Sequence, residues 1–296
     1  MLRTASKRVD PDAETVSFAG TRASGFTKTV RHLLLIGATL VMLYPVIWML
    51  LSSLKPQEDI FDTGFWPQTW TLENYVNGWN ALQYGFGRFF ANSAFVAAAA
   101  VIGNLASCSL AAFAIARLRF RGRKAVLGVV LLTIMLPYHV VVVPQYVVFS
   151  SIGWVNTFWP LILPKFLATD AFFVFLMVQF IRGIPKELDE AARIDGAGHL
   201  RIFGQVMIPL MVPALATTAI FTFIWTWSDF FTSLIYLTSP DMYTVPIALR
   251  SFLDATSGSN WGAMFAMSIV SLVPIFFAFL FGQKYLVKGI ATTGGK

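Results

Sequence analysis

Charged and polar side chains stand inside long apolar stretches of this sequence, where they could bind a polar solute. Lys165 and Asp170 are five residues apart in one stretch, and Asp229 follows Trp225 and Trp227 in another. An ionisable group in a hydrocarbon environment is costly unless it is paired or hydrated. Each of these groups is therefore a candidate for a functional role.

Each candidate has more than one interpretation. Lys165 and Asp170 either pair with each other or line an aqueous cavity, and Lys165 lies close enough to the end of its stretch to extend towards the membrane surface. A carboxylate beside tryptophans can hold a sugar by hydrogen bonding and stacking, but tryptophan is also common at membrane interfaces. Asn104 and His139 complete the candidate solute pathway, although a lone histidine is commonly a packing residue.

A polar segment at residues 184–209 predicts a helix outside the membrane. Pro185 fits the first turn, and Gly196 can adopt the left-handed conformation that ends a helix. The acids between them suit the positive helix N-terminus, and we expect about three turns. Pro209 and Pro213 follow where the chain returns to apolar sequence.

This predicted helix has one face suited to a partner. Ala191 and Ala192 carry little bulk, so a partner can approach the backbone closely. Glu190 and Asp195 offer acidic contacts beside that face. The alternative is an ordinary capped amphipathic connector.

The apolar stretches predict an all-α integral membrane protein with six transmembrane helices. Of the 296 residues, 56% are hydrophobic and 12% are charged. This fraction of charged residues is about half that of a typical soluble domain. A helical span needs about 20 apolar residues. The predicted spans are 33–54, 89–116, 125–149, 159–181, 206–237 and 263–283. Pro137 and Pro144 interrupt the third of them and are expected to kink it.

The positions of the basic residues predict the orientation of these spans. Of the 22 lysines and arginines, 18 lie in the N-terminal tail, the second-to-third and fourth-to-fifth connections, and the C-terminus. Positive residues near spans stay on the cytoplasmic side, so both termini are expected there. We divide the chain into a cytoplasmic tail (1–30), a six-span domain (31–288) and a second cytoplasmic tail (289–296). The net charge of +7 thus reflects topology and not nucleic-acid binding.

The absence of some motifs and the scarcity of some residue types argue against several functions. No G-x-x-x-x-G-K-[ST] phosphate loop is present, so this chain is not expected to bind ATP. One cysteine and three dispersed histidines argue against a metal site and against an intramembrane enzyme. A secondary carrier remains an alternative, although no internal duplication supports it.

One spacing resembles a known family. Glu190-Ala191-Ala192, three residues, Gly196, nine residues, and then Val206-Met207-Ile208-Pro209 is similar to the EAA loop of ABC importer permeases. Three further features resemble sequences of the carbohydrate, maltose-type branch of this family. They are Asn92-Ser93, Ala116-Arg117-Leu118-Arg119-Phe120 and the two prolines of span three. Trp227-Ser228-Asp229-Phe230 departs from that branch at Ser228, where asparagine is more usual.

The resemblance implies a type I importer permease of the bacterial inner membrane. In that family the EAA loop forms a coupling helix that contacts the ATPase, here through Glu190, Ala191, Ala192, Asp195, Gly196 and Pro209. The implied partners are a second permease subunit, two ATPase subunits that bind ATP and Mg, and a periplasmic binding protein. The resemblance also implies a binding-protein contact loop at Asp254, Thr256, Ser257, Gly258 and Asn260, for which a plain solvated loop is the alternative. The implied function is sugar import by alternating access, with a glycerol phosphate, an amino acid or a peptide as alternative solutes.

Overall fold

The computed structural model describes residues 25–62, 64–253 and 259–293. The chain divides into two compact units, residues 1–47 and 48–296. The described part of the first unit is helical throughout. Fourteen α-helices occur within the described ranges: Gly25–Ser52 (α1), Glu73–Asn80 (α2), Phe86–Arg117 (α3), Arg123–Ile134 (α4), Tyr138–Ser151 (α5), Trp159–Phe166 (α6), Ala171–Gly183 (α7), Glu187–Ile194 (α8), His199–Ile202 (α9), Ile208–Leu210 (α10), Val212–Trp227 (α11), Phe231–Tyr236 (α12), Val245–Arg250 (α13) and Trp261–Thr293 (α14).

Four to six of the predicted spans are long and apolar enough to cross a membrane. Four helical segments are each long and apolar enough without a partner helix: Lys28–Ser52, Phe86–Arg117, Trp159–Gly183 and Trp261–Tyr285. Two bent helix pairs bring the number to six if each pair is one span. The all-helical class predicted from the sequence is confirmed.

The third span is sharply bent at Pro137. α4 and α5 meet at 103° across a break of three residues. Pro137 has an extended backbone (ψ 128°) and cannot donate the hydrogen bond that would continue α4. Pro144, by contrast, lies inside α5 without ending it. The predicted interruption therefore occurs at the first proline only.

The fourth span is interrupted between α6 and α7, where the sequence predicted a continuous helix over 159–181. Ala168 has a left-handed backbone (φ 53°), and the amide of Leu167 bonds to the carbonyl of Pro164. This irregular turn places Asp170 just before α7.

The fifth span also differs from its predicted bounds of 206–237. The apolar pair is His199–Leu210 followed by Val212–Trp227, bent by 77° at Met211. Pro213 lies at the start of α11, a position that lacks a helical hydrogen-bond partner for its nitrogen. Ser228–Phe230 then separate α11 from α12. Pro213 and the break at 228–230 account for the difference between the observed and the predicted bounds of this span.

α3 is the central helix of the second unit and packs against α6, α7 and α11. Its small residues permit close approach between the helices. Gly103 is the tightest point, since a Cβ atom there would lie 2.6 Å from the Phe166 ring and 3.1 Å from the carbonyl carbon of Lys165.

Substituting Gly103→Ala is therefore expected to destabilise the fold by about 1–3 kcal/mol, because α6 would have to move. Gly128→Ala is the matched control, since no atom lies within 4 Å of its Cβ position in α4. Thermal unfolding of the purified protein in detergent measures both. Equal unfolding temperatures for the two variants would contradict the close packing described above.

Candidate functional site

A cavity of about 700 Å³ lies where the third, fourth and fifth spans are broken. Helix ends and irregular turns form most of its wall, together with residues of α4, α5, α6 and α11. Its lining combines aromatic rings with hydrogen-bonding and charged groups. The lining residues are Thr133, Leu136, Tyr138, His139, Val141, Gln145, Pro160, Leu161, Pro164, Lys165, Thr169, Asp170, Trp225, Thr226, Asp229, Phe231 and Thr232.

Lys165 and Asp170 both line this cavity and also pair with each other. The Lys165 ammonium donates to both carboxylate oxygens of Asp170, at 2.8 and 3.1 Å. About a quarter of each side chain is exposed. The two interpretations of this pair in the sequence are therefore compatible.

A buried amide supports the ion pair from behind. The Asn104 side-chain amide donates to the Asp170 carboxylate and to the hydroxyl of Thr222. Asn104 is fully buried and does not line the cavity. Ser107 donates to the carbonyl of Lys165 at 2.7 Å. Asn104, predicted on the pathway, thus contacts it only through Asp170.

Asp229 and Trp225 also line the cavity. An oxygen of Asp229 accepts a hydrogen bond from the backbone of Thr232 at 3.0 Å, which fixes the carboxylate at the start of α12. Trp225 is half exposed, with its ring against Phe172 and Phe173. The lining thus includes both an aromatic face and a carboxylate from the end of the fifth span.

Trp227 does not line the cavity, contrary to the prediction. Its side chain is buried among Phe90 and Phe223, and its indole N–H donates to the carbonyl of Ser271 at 3.1 Å. Two residues along a helix differ by about 200° in direction, so Trp225 and Trp227 cannot face the same side. Trp227 is therefore a core residue.

His139 lies on the cavity wall beside residues that were not predicted. Its ring packs edge-on against Phe231, with centroids 4.8 Å apart. The hydroxyls of Tyr138 and Thr232 are hydrogen bonded at 2.9 Å. Both Tyr138 and Thr232 lie in the first turn of a helix, directly after a break. This position is the only sequence signal that could have identified them as cavity residues.

The connection between α7 and α11 contains the predicted helix outside the spans. α8 covers eight residues, two turns and not three, because the chain at Ile184 is extended and Gly196 adopts φ 80°. Glu190, Ala191, Asp195, Gly196 and Pro209 are exposed, whereas Ala192 is half buried against the core.

Two further apolar side chains accompany this exposed surface. Ile194 is 87% exposed and Leu200 is 81% exposed. Ile202, in the same connection, is buried in the core. Exposed aliphatic groups next to an acidic helix are typical of a contact surface.

A buried ion pair joins this connection to α3. Nε of Arg117 lies 3.0 Å from Oδ2 of Asp189, and both side chains are almost fully buried. In the sequence, Asp189 is one of the acids that suit a helix N-terminus, and Arg117 belongs to a motif of the carbohydrate branch. The 72 positions that separate them give no sequence signal for the contact.

The predicted binding-protein loop is described in part. Asp254, Thr256, Ser257 and Gly258 lie outside the described residues. Asn260 accepts a hydrogen bond from the amide of Ala263 at 3.0 Å and so caps the start of α14. α14 reaches Thr293, inside the predicted tail at 289–296, and residues 294–296 also lie outside the described part. Within the described ranges, no group of three or more His, Cys, Asp or Glu side chains is arranged to hold a metal ion.

A polar cavity among broken membrane helices is typical of membrane proteins that transport solutes. Residues 103–292 match the family described as "Binding-protein-dependent transport system inner membrane component". The chain belongs to this family. It is a multi-pass permease subunit of an ABC importer in the inner membrane, and it is not the ATPase of that system.

Individual relatives agree with this assignment. The chain is 35% identical over 250 residues to the probable ABC transporter permease protein YurM of Bacillus subtilis, and the match covers 84% of this chain and 82% of that protein. It is 32% identical over 263 residues to the trehalose/maltose transport system permease protein MalG of Thermococcus litoralis, covering 88% and 95%. The family resemblance predicted from the EAA spacing is confirmed.

A solved structure has the same fold. It is the crystal structure of a bacterial ABC transporter involved in the import of the acidic polysaccharide alginate. The TM-score is 0.78 at 23% identity, over 90% of this chain and 98% of that chain. The importer permease architecture is confirmed. The family match sets aside the secondary-carrier alternative.

Proposed function

We propose that this chain forms half of the translocation pathway of an ATP-driven importer for a sugar or oligosaccharide. The observation that carries the proposal is the cavity, whose lining combines the exposed face of Trp225 with the carboxylate of Asp229 and several hydroxyl groups. Aromatic faces and hydrogen-bonding groups together suit a carbohydrate. Relatives named for arabinooligosaccharides, trehalose/maltose and galactooligosaccharides support the same solute class.

In this proposal a second permease subunit forms the other half of the pathway, and a periplasmic binding protein delivers the solute. Two ATPase subunits bind ATP and Mg and contact the exposed surface of α8. Their closure moves the coupling helices and opens the cavity alternately to either side of the membrane. The residues of the ATPase contact are those predicted from the sequence, Glu190, Ala191, Ala192, Asp195, Gly196 and Pro209. The binding protein contacts the loop that contains Asp254, Thr256, Ser257, Gly258 and Asn260.

The solute class is tested by uptake into cells that lack this chain. We expect uptake of a radiolabelled neutral di- or oligosaccharide to be lost and then restored by the cloned gene. The probes are maltose, cellobiose, an arabino-oligosaccharide, glycerol 3-phosphate, leucine and a dipeptide. Loss confined to one of the last three would assign a different solute. Purification through an N-terminal tag, followed by mass spectrometry, identifies the ATPase and binding-protein partners.

The cavity role of Trp225 gives a more specific prediction. Trp225→Ala is expected to raise the KM of sugar uptake about three- to tenfold, because one aromatic contact contributes about 0.5–1.5 kcal/mol. Phe276→Ala is the control, since Phe276 is 61% exposed and does not line the cavity. An unchanged KM in Trp225→Ala would remove this residue from the solute site.

A further inference from the structure

The two ends of α3 carry very different ion pairs. At its first turn, Arg88 lies 3.7 Å from Asp241, and the two side chains are 51% and 37% exposed. At its last residue, Arg117 lies 3.0 Å from Asp189, and the side chains are 3% and 9% exposed. Exposed pairs contribute little, whereas removing one partner of a buried pair is strongly unfavourable.

Arg117 contacts residues 184–194, which we call the coupling segment, at two points. Its Nη2 donates to the carbonyl of Ile184 at 2.7 Å, where the chain leaves α7. Its Nε lies 3.0 Å from the carboxylate of Asp189, in the first turn of α8. One side chain of α3 thus contacts both the entry to α8 and α8 itself.

The hydrogen bonding of this pair is incomplete. Within the described residues, Nε and Nη1 of Arg117 and Oδ1 of Asp189 are buried without a hydrogen-bond partner. The 3.0 Å separation is therefore an ionic contact whose N–H is not directed at the oxygen. An apolar pair of similar size would serve stability at least as well, so stability alone does not account for these charges.

The same helix reaches the cavity wall. Asn104 lies 13 residues before Arg117, which is about 20 Å along the helix axis. At that level Asn104 contacts Asp170, and Ser107 contacts the backbone of Lys165. α3 is unbroken between these points, in contrast to the third, fourth and fifth spans.

We propose that Arg117 and Asp189 are positioning residues that fix α8 to the end of α3, so that movement of α8 is transmitted along α3 to the Lys165–Asp170 wall of the cavity. This role rests on the proposed function, in which ATPase subunits move α8. The ion pair gives α8 and α3 a fixed relative position, and the buried amide of Asn104 connects α3 to the pathway.

The test uses the complete complex in proteoliposomes and needs no knowledge of the solute. Thr133→Cys places a reporter thiol on the cavity wall, and the native Cys108 is buried. A membrane-impermeant methanethiosulfonate reports its accessibility without nucleotide and after trapping with ATP and vanadate. With the native pair, we expect the reaction rate to differ between these states by about tenfold, within the usual range of coupling between sites.

The decisive variant is Arg117→Met combined with Asp189→Leu, which removes both charges while keeping an apolar contact. We expect this complex to assemble and hydrolyse ATP, and the difference in thiol reactivity between the two states to fall to less than about twofold, outside the usual coupling range. Arg119→Met is the matched control, since Arg119 is exposed two residues away and should retain the full difference.

Each other outcome has a defined meaning. A full difference in the double variant would overturn the proposal, because the charges would then not be needed for transmission. Loss of assembly in the double variant would assign the pair to folding and overturn it as well. If the complex that carries Thr133→Cys alone hydrolyses ATP without any change in the reactivity of the reporter thiol, the alternating-access function fails, independently of this pair.

Discussion

Asp170→Ala is expected to destabilise the folded permease by about 3 kcal/mol, because it leaves the Lys165 ammonium unpaired within the membrane. The native carboxylate accepts hydrogen bonds from Lys165 and from Asn104. Without it, Lys165 loses its carboxylate partner and Asn104 keeps only its hydrogen bond to Thr222. The measurement is the equilibrium unfolding of the purified protein in mixed micelles with increasing SDS. Uptake should fall with the folded fraction.

A double variant tests whether the unpaired Lys165 charge causes the loss of stability. Lys165→Met with Asp170→Ala removes both charges, and its stability is expected to recover most of the loss. Thr169→Ala is a neighbouring control that also lines the cavity. If Asp170→Ala and the double variant were equally destabilised, the ion pair would not be the cause.

Glu190→Lys is expected to reduce the ATPase subunits retained by the purified permease at least about tenfold, since reversing a charge in an interface costs several kcal/mol. Glu190 is exposed on α8 between Ala191 and the buried Asp189, so the substitution changes the contact surface and not the core. ATP hydrolysis stimulated by the binding protein should fall in parallel.

The control for this variant is Glu58→Lys, which reverses an exposed charge outside the coupling segment. Retention of the ATPase should be unaffected there, as measured by the ratio of subunits after purification. A native ratio in Glu190→Lys would remove the acidic contact from the proposed coupling surface.

The parts of this structure that the sequence predicted are those that depend on local pattern. Uncharged stretches of span length predict the helices, and Pro137 predicts a break because it lacks an amide hydrogen. The turn at Gly196 follows from its tolerance of a positive φ. The spacing of Lys165 and Asp170 allowed their pairing without requiring it.

Other features depend on tertiary packing and were beyond local pattern. Arg117 and Asp189 pair because α3 and α8 meet in the fold. The interruption after Phe166 arises where α6 packs against Gly103 of α3, and no residue between 167 and 170 is a strong helix breaker. The burial of Trp227, however, was accessible from the sequence, since helical geometry separates it from Trp225.

The breaks in three successive spans have a consequence for how this pathway can change. Much of the cavity surface comes from short irregular segments, 135–137, 167–170 and 228–230, and from the helix turns beside them. A new solute preference can therefore be engineered by a small library at these segments, while the buried faces of α3, α7 and α11 stay as they are. Asp170 is the exception among these positions, because its pairing with Lys165 also stabilises the fold. At the other positions, selectivity and structural integrity can be adjusted separately.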